Sequence, residues 1–202
     1  LIQEYGKFHK QIGNLICKNV VFLVLNDEDI SFPQIDYYIN GIIGFPVIEA
    51  MDEIRISKNN TISIPKNPIN YNQNNFALDG LTPIIAVKYK EDTLSFGFDT
   101  GARQTTLYSP FYENYKNEIE EKYKLETFKS SSAGGVIEFN GYIIEELSFS
   151  VGESSGTVNN LQLHKNNIGT DENNFHGNFG QDYIKQFDEM IISFKYSSVI
   201  FK

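Results

Sequence analysis

Two stretches of the chain share one pattern of residues, and this internal repeat limits the possible folds more than any other feature. Residues 40–65, NGIIGFPVIEAMDEIRISKNNTISIP, match residues 176–201, HGNFGQDYIKQFDEMIISFKYSSVIF, in their glycines, their apolar positions and an Asp-Glu pair. A second block, residues 12–24, has the hydrophobic outline of residues 139–151. β-branched and aromatic residues are typical of strands. The chain is therefore predicted to contain two copies of one strand-rich unit.

A single carboxylate, Asp99, stands in a hydrophobic stretch ahead of the second copy. The segment 96–107 reads FGFDTGARQTTL, with apolar residues alternating before Asp99 and strand-forming residues after it. Taken alone, Asp-x-Gly is ordinary turn chemistry, and a surface turn is the plainest interpretation. The first copy begins too late to contain a matching aspartate. Shifting Asp99 back by the repeat offset places that partner roughly 30 to 40 residues before Leu1.

The aspartate segment, the glycine turns and the repeat together resemble two-lobed aspartyl proteases of the retropepsin and pepsin type. Bacterial retropepsin-like proteins with both lobes in one polypeptide are the most similar. The motifs that carry the resemblance are Asp99-Thr100-Gly101-Ala102, Ile42-Ile43-Gly44 and Asn178-Phe179-Gly180. The resemblance covers nearly the whole chain, and it implies a mostly β fold of acid-protease β-barrel lobes with short helices.

The same resemblance implies a domain division. Residues 1–66 would be the second half of an N-terminal lobe whose first half is missing, residues 67–79 a linker, and residues 80–202 a complete C-terminal lobe. In this family each lobe carries an aspartate loop, then a flap hairpin, then a hydrophobic-glycine turn. The flap tip would be Ala133-Gly134-Gly135, although a plain hairpin turn is the alternative interpretation of these residues.

The chemistry implied by the resemblance is peptide-bond hydrolysis by two aspartates that share a proton and activate a water molecule. Asp99 would be one of the pair. Thr100 is suited to a hydrogen bond that ties the two aspartate loops together, as the family's threonine does. Gly101 lets backbone amides approach the carboxylate, which lowers the cost of its charge. The expected partners are a peptide or protein substrate and the missing half-lobe, and no cofactor is expected.

Local patterns predict the order of the elements. Strands are expected within residues 8–25, a loop at 33–40, a short helix at 45–52, a hairpin at 53–65 and an irregular linker at 66–79. The second copy is expected to give strands near 81–90 and 93–98, then a helix at 109–124. Ser109 would cap that helix, with Pro110 in its first position and Glu113 as the capping-box acid. A hairpin around 130–136, strands at 137–152, a loop at 153–178, a short helix at 181–187 and a closing hairpin would follow.

Composition excludes several other classes of protein. A net charge of −9 over 202 residues, without a basic cluster, argues against binding to a nucleic-acid backbone. The lone Cys17 rules out an intramolecular disulfide and fits a buried strand position. Three histidines without ligand spacing make a metal site improbable. There is no apolar run long enough to span a membrane. Any targeting segment would lie ahead of Leu1, which leaves the localisation open, a secreted or periplasmic protein included.

Three functions are compatible with the sequence. The first is an aspartic peptidase that needs Asp99 and an aspartate from the missing half-lobe. The second is a non-catalytic peptide-binding protein that keeps the fold but lacks the other aspartate. The third is a homodimer in which Asp99 of two copies meet, as in retroviral enzymes, and residues 1–66 argue against it because they would obstruct the dimer surface.

Overall fold

The computed structural model describes residues 7–12, 15–21, 24, 26, 31–32, 36–39, 41–132, 135–168 and 174–202. Contacts divide the chain into two compact units, Leu1–Met51 and Asp52–Lys202. Strand accounts for 46% of the structure and helix for 15%, which confirms a mostly β protein with short helices. The predicted lobe boundaries at residues 66 and 80 stay predictions.

The described residues of the unit Leu1–Met51 form two small hairpins and one helical turn. Its elements are β1 (Lys7–Ile12), β2 (Leu15–Val21), β3 (Ser31–Phe32), β4 (Tyr37–Tyr38) and α1 (Phe45–Glu49). β1 pairs with β2 and β3 pairs with β4, both antiparallel. Strand β4 lies inside the predicted loop 33–40, so that prediction was wrong at residues 37–38.

The unit Asp52–Lys202 holds the remaining elements. They are β5 (Glu53–Ser57), β6 (Ile62–Ser63), β7 (Phe76–Asp79), β8 (Thr82–Tyr89), β9 (Asp92–Phe98), β10 (Thr106–Leu107), α2 (Ser109–Lys122), β11 (Glu126–Ser132), β12 (Gly135–Val151), β13 (Ser154–His164), β14 (Gly177–Phe179), α3 (Gln181–Ile184), β15 (Glu189–Ser193) and β16 (Ser198–Phe201).

Eight of these strands form one sheet that closes on itself. Its order is β11-β12-β13-β10-β14-β9-β8-β7, and β8 also pairs with β12 through Lys88 and Ser150. Strand β14 lies between β9 and β10, parallel to the first and antiparallel to the second. Apolar side chains that alternate along these strands meet inside the ring, where Phe96 and Phe179 are fully buried and contact each other edge to face.

A second sheet joins the two copies of the repeat around a local two-fold axis. Its order is β16-β15-β5-β6, and β5 and β15 pair antiparallel with Arg55 opposite Ile191 at the centre of the register. The two residues of this central pair are also equivalent in the repeat, since Arg55 aligns with Ile191 in the matched segments. Each copy therefore contributes a hairpin, and the hairpins are related by the axis that passes between these two residues.

Helices and strands keep the spacing of the repeat in its longer matched segments, residues 40–65 and 176–201. Helix α1 starts directly after Gly44 and α3 directly after Gly180, and these glycines are the N-caps of their helices. β5 and β15 start at equivalent residues of the repeat, and so do β6 and β16. The shorter matched block, residues 12–24 against 139–151, departs from this rule. Ile12 pairs with Leu15 across a hairpin turn, whereas the matching residues 139–142 lie within the single strand β12.

Three sequence predictions are corrected by the structure of this unit. The linker 66–79 contains strand β7, because Phe76 is buried and pairs with Ile85. The loop 153–178 contains the long strand β13 and the short β14. Ser109 is the first residue of α2 and not its cap. Tyr108 occupies the N-cap with an extended backbone and no side-chain cap bond, while its N–H donates to the His176 carbonyl (2.9 Å).

No helix in the described part of the chain is long and apolar enough to cross a membrane.

Candidate functional site

Asp99 stands at the point where β9 leaves the sheet. Phe96 and Phe98 anchor the end of this strand in the core, and the Asp99 N–H still donates to the Phe179 carbonyl (3.1 Å) as a last bond to β14. The Asp99 side chain is exposed. The backbone of this residue is thus fixed by the sheet while its carboxylate faces solvent.

The turn after Asp99 supplies donors to its carboxylate and its carbonyl. The Gly101 N–H donates to Asp99 Oδ1 (2.8 Å), and the Ala102 N–H donates to the Asp99 carbonyl (3.1 Å). A Cβ on Gly101 would lie 3.1 Å from Asp99 Oδ1, tighter than ordinary contact. Gly101 therefore lies directly beside the Asp99 carboxylate, and its role in a catalytic loop stays a prediction.

The loop that contains Asp99 crosses over the turn at Gly180. A Cβ on Gly180 would lie 2.7 Å from the Gln104 carbonyl oxygen and 2.9 Å from that of Ala102. Since the Gly180 backbone is extended, with φ −119°, the lack of space and not backbone strain requires glycine here. The structure thus brings Asn178-Phe179-Gly180 against the Asp99 loop, although the two motifs are far apart in the sequence.

The two residues that follow Gly180 are Gln181 and Asp182, and both form hydrogen bonds to the Asp99 loop. No role was predicted from the sequence for either of them. The Gln181 side-chain amide donates to the Thr100 carbonyl (2.6 Å), and the Gln181 N–H donates to the Ala102 carbonyl (2.9 Å). Thr100 thus takes part in this contact through its backbone carbonyl. Its predicted hydrogen bond to a second aspartate loop stays a prediction. Asp182 accepts hydrogen bonds from Thr105.

A comparison of the two repeat copies contains a signal for these residues. Gln181 and Asp182 correspond to Phe45 and Pro46 in the first copy, so two polar residues replace two apolar ones at matched positions. After the shared glycine turn, the second copy can therefore form side-chain hydrogen bonds that the first copy cannot form.

The first glycine turn, Ile42-Ile43-Gly44, belongs to the unit Leu1–Met51. Ile42 is 74% exposed and Ile43 is 52% exposed. A Cβ on Gly44 would meet only the Pro46 Cδ atom, at an ordinary 3.6 Å. The first glycine turn therefore has the same local form as the turn at Gly180. Unlike that turn, it has no loop packed on it among the described residues.

The hairpin predicted around residues 130–136 is formed by β11 and β12. Ser132 pairs with Gly135, so a two-residue connection closes the hairpin. Ala133 and Gly134, which make up that connection, lie outside the described residues. β11 pairs with a single neighbour and forms an edge of the sheet.

Histidines and other metal-binding side chains are dispersed. In the described residues no three His, Cys, Asp or Glu side chains lie close enough to share a metal ion. His176 is half buried, its Nδ1 atom 3.3 Å from the Ser95 N–H donor and its Nε2 atom 3.2 Å from the Asn114 side-chain amide. Burial lowers the pKa of His176, and a hydrogen bond to the Ser95 backbone opposes this shift. His164 is buried and stacks on Tyr108.

No protein-family model matches the chain, and no curated protein matches it. The chain is similar to the crystal structure of Lpg0085, a protein with unknown function (DUF785) from Legionella pneumophila subsp. pneumophila str. Philadelphia 1. The likeness covers 51% of this chain and 84% of that chain, with 15% identity and a TM-score of 0.28. A TM-score this low carries no argument about fold or function.

Proposed function

We propose that this protein is an aspartic endopeptidase of the two-lobed retropepsin-like type, with Asp99 as one of its two catalytic aspartates. The observation that carries the proposal is the exposed Asp99 carboxylate on a loop with a fixed backbone. It accepts the Gly101 N–H, and the loop behind it is held over Gly180. A solvated carboxylate with a backbone donor and a rigid support is suited to act on a water molecule.

The second aspartate of the pair is proposed to come from the segment equivalent to residues 92–105 in the first copy. The local two-fold axis between Arg55 and Ile191 relates the hairpins of the two copies. The repeat offset that takes Ile191 back to Arg55 takes Asp99 to a position ahead of Leu1, roughly 30 to 40 residues upstream. A longer polypeptide would supply this residue in the same chain.

In the proposed reaction the two carboxylates share one proton and hold a water molecule between them. The ionised aspartate removes a proton from the water as it attacks the scissile carbonyl carbon, and the protonated aspartate donates to the carbonyl oxygen. The resulting tetrahedral intermediate is not bound covalently to the protein. One aspartate then transfers its proton to the leaving amine nitrogen while the other takes a proton from a hydroxyl of the intermediate. The C–N bond breaks, the carboxylic acid product forms, and the pair again holds one proton as a single coupled unit.

The substrate is proposed to bind as an extended strand beneath the β11–β12 hairpin, with Ala133-Gly134-Gly135 as the flap tip. Backbone hydrogen bonds would supply affinity, and side-chain pockets would supply preference for large apolar residues.

The test compares peptidase activity of the longer polypeptide with that of its Asp99→Asn variant. Loss of a general acid or base should lower turnover on the order of a thousandfold, with little change in stability. Asp188→Asn is the matched control, because the Asp188 side chain is 87% exposed and is paired across 3.4 Å with the surface residue Lys58. A statine-type transition-state mimic should inhibit the wild type. In the same assay, Gly134→Val combined with Gly135→Val should raise KM.

Other results would select another function. Unchanged turnover in Asp99→Asn removes Asp99 from the mechanism. Peptide binding without cleavage indicates the non-catalytic protein. Residues 1–202 alone are expected to be inactive, and activity of this fragment that is abolished by Asp99→Asn would indicate the homodimer.

A further inference from the structure

A partly buried network of hydrogen bonds lies directly behind the Asp99 loop, with the Asp182 carboxylate at its centre. The Thr105 N–H donates to both carboxylate oxygens (2.9 and 2.8 Å), the Thr105 hydroxyl donates to Oδ1 (2.6 Å), and the Tyr183 N–H also donates to Oδ1 (2.9 Å). Thr105 is only 2% exposed. Charge-assisted bonds of this kind are stronger than those between neutral groups.

The Thr105 hydroxyl connects this carboxylate to the glycine turn. Its oxygen accepts the Gly180 N–H (3.1 Å) while its hydrogen is directed at Asp182. A hydroxyl has one hydrogen to give, so the carboxylate fixes its direction and leaves its lone pairs for Gly180. The end of the loop and the turn beneath it are thereby locked to each other.

The start and the middle of the loop are held by other bonds of the same region. The Asp99 N–H donates to Phe179, and the two Gln181 bonds engage the carbonyls of Thr100 and Ala102. The hydrogen bonds from Thr105 to Asp182 hold the end of the loop. The loop 99–105 is therefore fixed along its length, and the network does not include the Asp99 carboxylate itself.

The first copy of the repeat shows that the turn and helix do not need this network. Helix α1 begins after Gly44 with Phe45 and Pro46 at the positions of Gln181 and Asp182. Because the same local structure forms with two apolar residues, the carboxylate of Asp182 is not required to build it. What Asp182 adds is the connection to Thr105.

We propose that Asp182, acting through Thr105, is a positioning residue that keeps the Asp99 loop in its working conformation. The proposal rests on the proposed peptidase function. A loop that is free to move by about 1 Å loses catalytic rate, on the order of a hundredfold, even when the reacting group is intact. Asp182 and Thr105 therefore act on turnover without touching the substrate.

The test uses two variants that break the network and one that keeps it. Asp182→Asn puts an amide donor against the Thr105 N–H, and Thr105→Val removes the hydroxyl at nearly constant shape. Thr105→Ser is the matched control because it retains the hydroxyl. In the longer polypeptide, the first two variants should lower kcat by about ten- to a hundredfold with little change in KM, and Thr105→Ser should keep wild-type turnover.

Hydrogen exchange of residues 1–202 gives a readout that needs no activity. The Gly101 and Ala102 amides should exchange about tenfold faster in Asp182→Asn and Thr105→Val, as expected for loss of one hydrogen bond of ordinary net strength. Amides of β8 should exchange at the wild-type rate. If the wild type proves to have no peptidase activity, this local exchange effect still supports the positioning role while the proposed function fails.

Two results would overturn the proposal. One is unchanged protection of Gly101 and Ala102 in folded Thr105→Val. The other is an acceleration that is equal throughout the unit, which would make the network a general stabiliser. If Asp182→Asn does not fold, the Thr105→Val and Thr105→Ser pair decides between these outcomes.

Discussion

The two glycine turns have the same local structure and different surroundings. In both copies a glycine caps a short helix, and a hairpin follows at the same spacing. Phe179 before the second glycine is fully buried, whereas Ile43 before the first is 52% exposed. A chain can thus specify a turn, a helix and a hairpin from local residues alone. The loop that crosses the second turn is what distinguishes its surroundings from those of the first.

The largest difference between the turns should appear when their apolar residues are shortened. Phe179→Ala removes a ring that contacts Phe96, Phe149 and Tyr183, at centroid distances of 4.9, 5.5 and 4.6 Å. It should lower the free energy of unfolding by about 3–5 kcal/mol. Ile43→Ala should change it by less than about 0.5 kcal/mol in residues 1–202. Urea denaturation measures both.

A longer polypeptide sharpens this comparison. If an aspartate loop from an upstream segment covers the first turn, Ile43→Ala becomes costly there and stays nearly neutral in residues 1–202. Equal costs for Phe179→Ala and Ile43→Ala in the short chain would show that the two turns are equally buried, and the contrast between them would be lost.

The glycines themselves should differ by a smaller amount. Gly180→Ala brings a methyl group to 2.7 and 2.9 Å from two backbone oxygens, so overpacking should cost about 1–3 kcal/mol of unfolding free energy. Gly44→Ala meets only the Pro46 side chain and should stay within about 0.5 kcal/mol of the wild type. Thermal and urea unfolding of the two variants test this, and a neutral Gly180→Ala would mean that the loop does not press on the turn.

The smallest expected difference concerns pH. His176 in the second copy corresponds to Asn40 in the first. Burial lowers the pKa of His176, while the Ser95 backbone bond and the nearby Asp92 charge act in the opposite direction. A folded-state pKa below the unfolded value of about 6.5 means that the stabilisation is present above that pH and is lost as pH falls below it.

Replacing His176 with the residue of the other copy removes this contribution. His176→Asn should lose less unfolding free energy than the wild type between about pH 7 and pH 5, because the unfolded state no longer gains the extra proton. Urea titrations at a series of pH values measure the difference. An identical pH dependence in the two proteins would assign the acid sensitivity to other groups.

The repeat and the order of most elements could be predicted because they depend on neighbouring residues. The hairpin of β5 and β6 turns at Lys58-Asn59-Asn60, where Asn60 adopts φ 61°, a conformation that asparagine tolerates. The glycine turns and the start of α3 were predicted for the same reason. These features require only short-range information.

Strand β13 was missed because its alternation changes phase. Gly156 and Val158 are buried in its first half, and Leu161 and Leu163 in its second half. Asn160 between them has φ 54° and shifts the buried side from even to odd positions. A search for period-two alternation finds two short fragments instead of one strand of 11 residues.

The Asp182 network was missed for a different reason. Thr105 and Asp182 are 77 residues apart, and each residue type is ordinary at its own position. The Asp182 carboxylate can bind Thr105 only because β14 pairs with both β9 and β10. This pairing brings Asp182, which follows β14, next to the end of the Asp99 loop. The motif around Asp99 was visible in the sequence because its donor, Gly101, follows so closely in the chain.

The sheet that joins the two copies has a consequence for how the chain folds. β5 pairs with β15, which lies close to the other end of the sequence, so β5 is synthesised long before its partner strand exists. During this interval β5 is an open edge. Because the register is centred on equivalent residues, β5 of a second molecule presents Ile54 and Ile56 in the same antiparallel alignment, with two Arg55 side chains facing each other at the centre. Until β15 has been synthesised, β5 is therefore open to pairing with another chain, and its pairing with β15 ends this exposure.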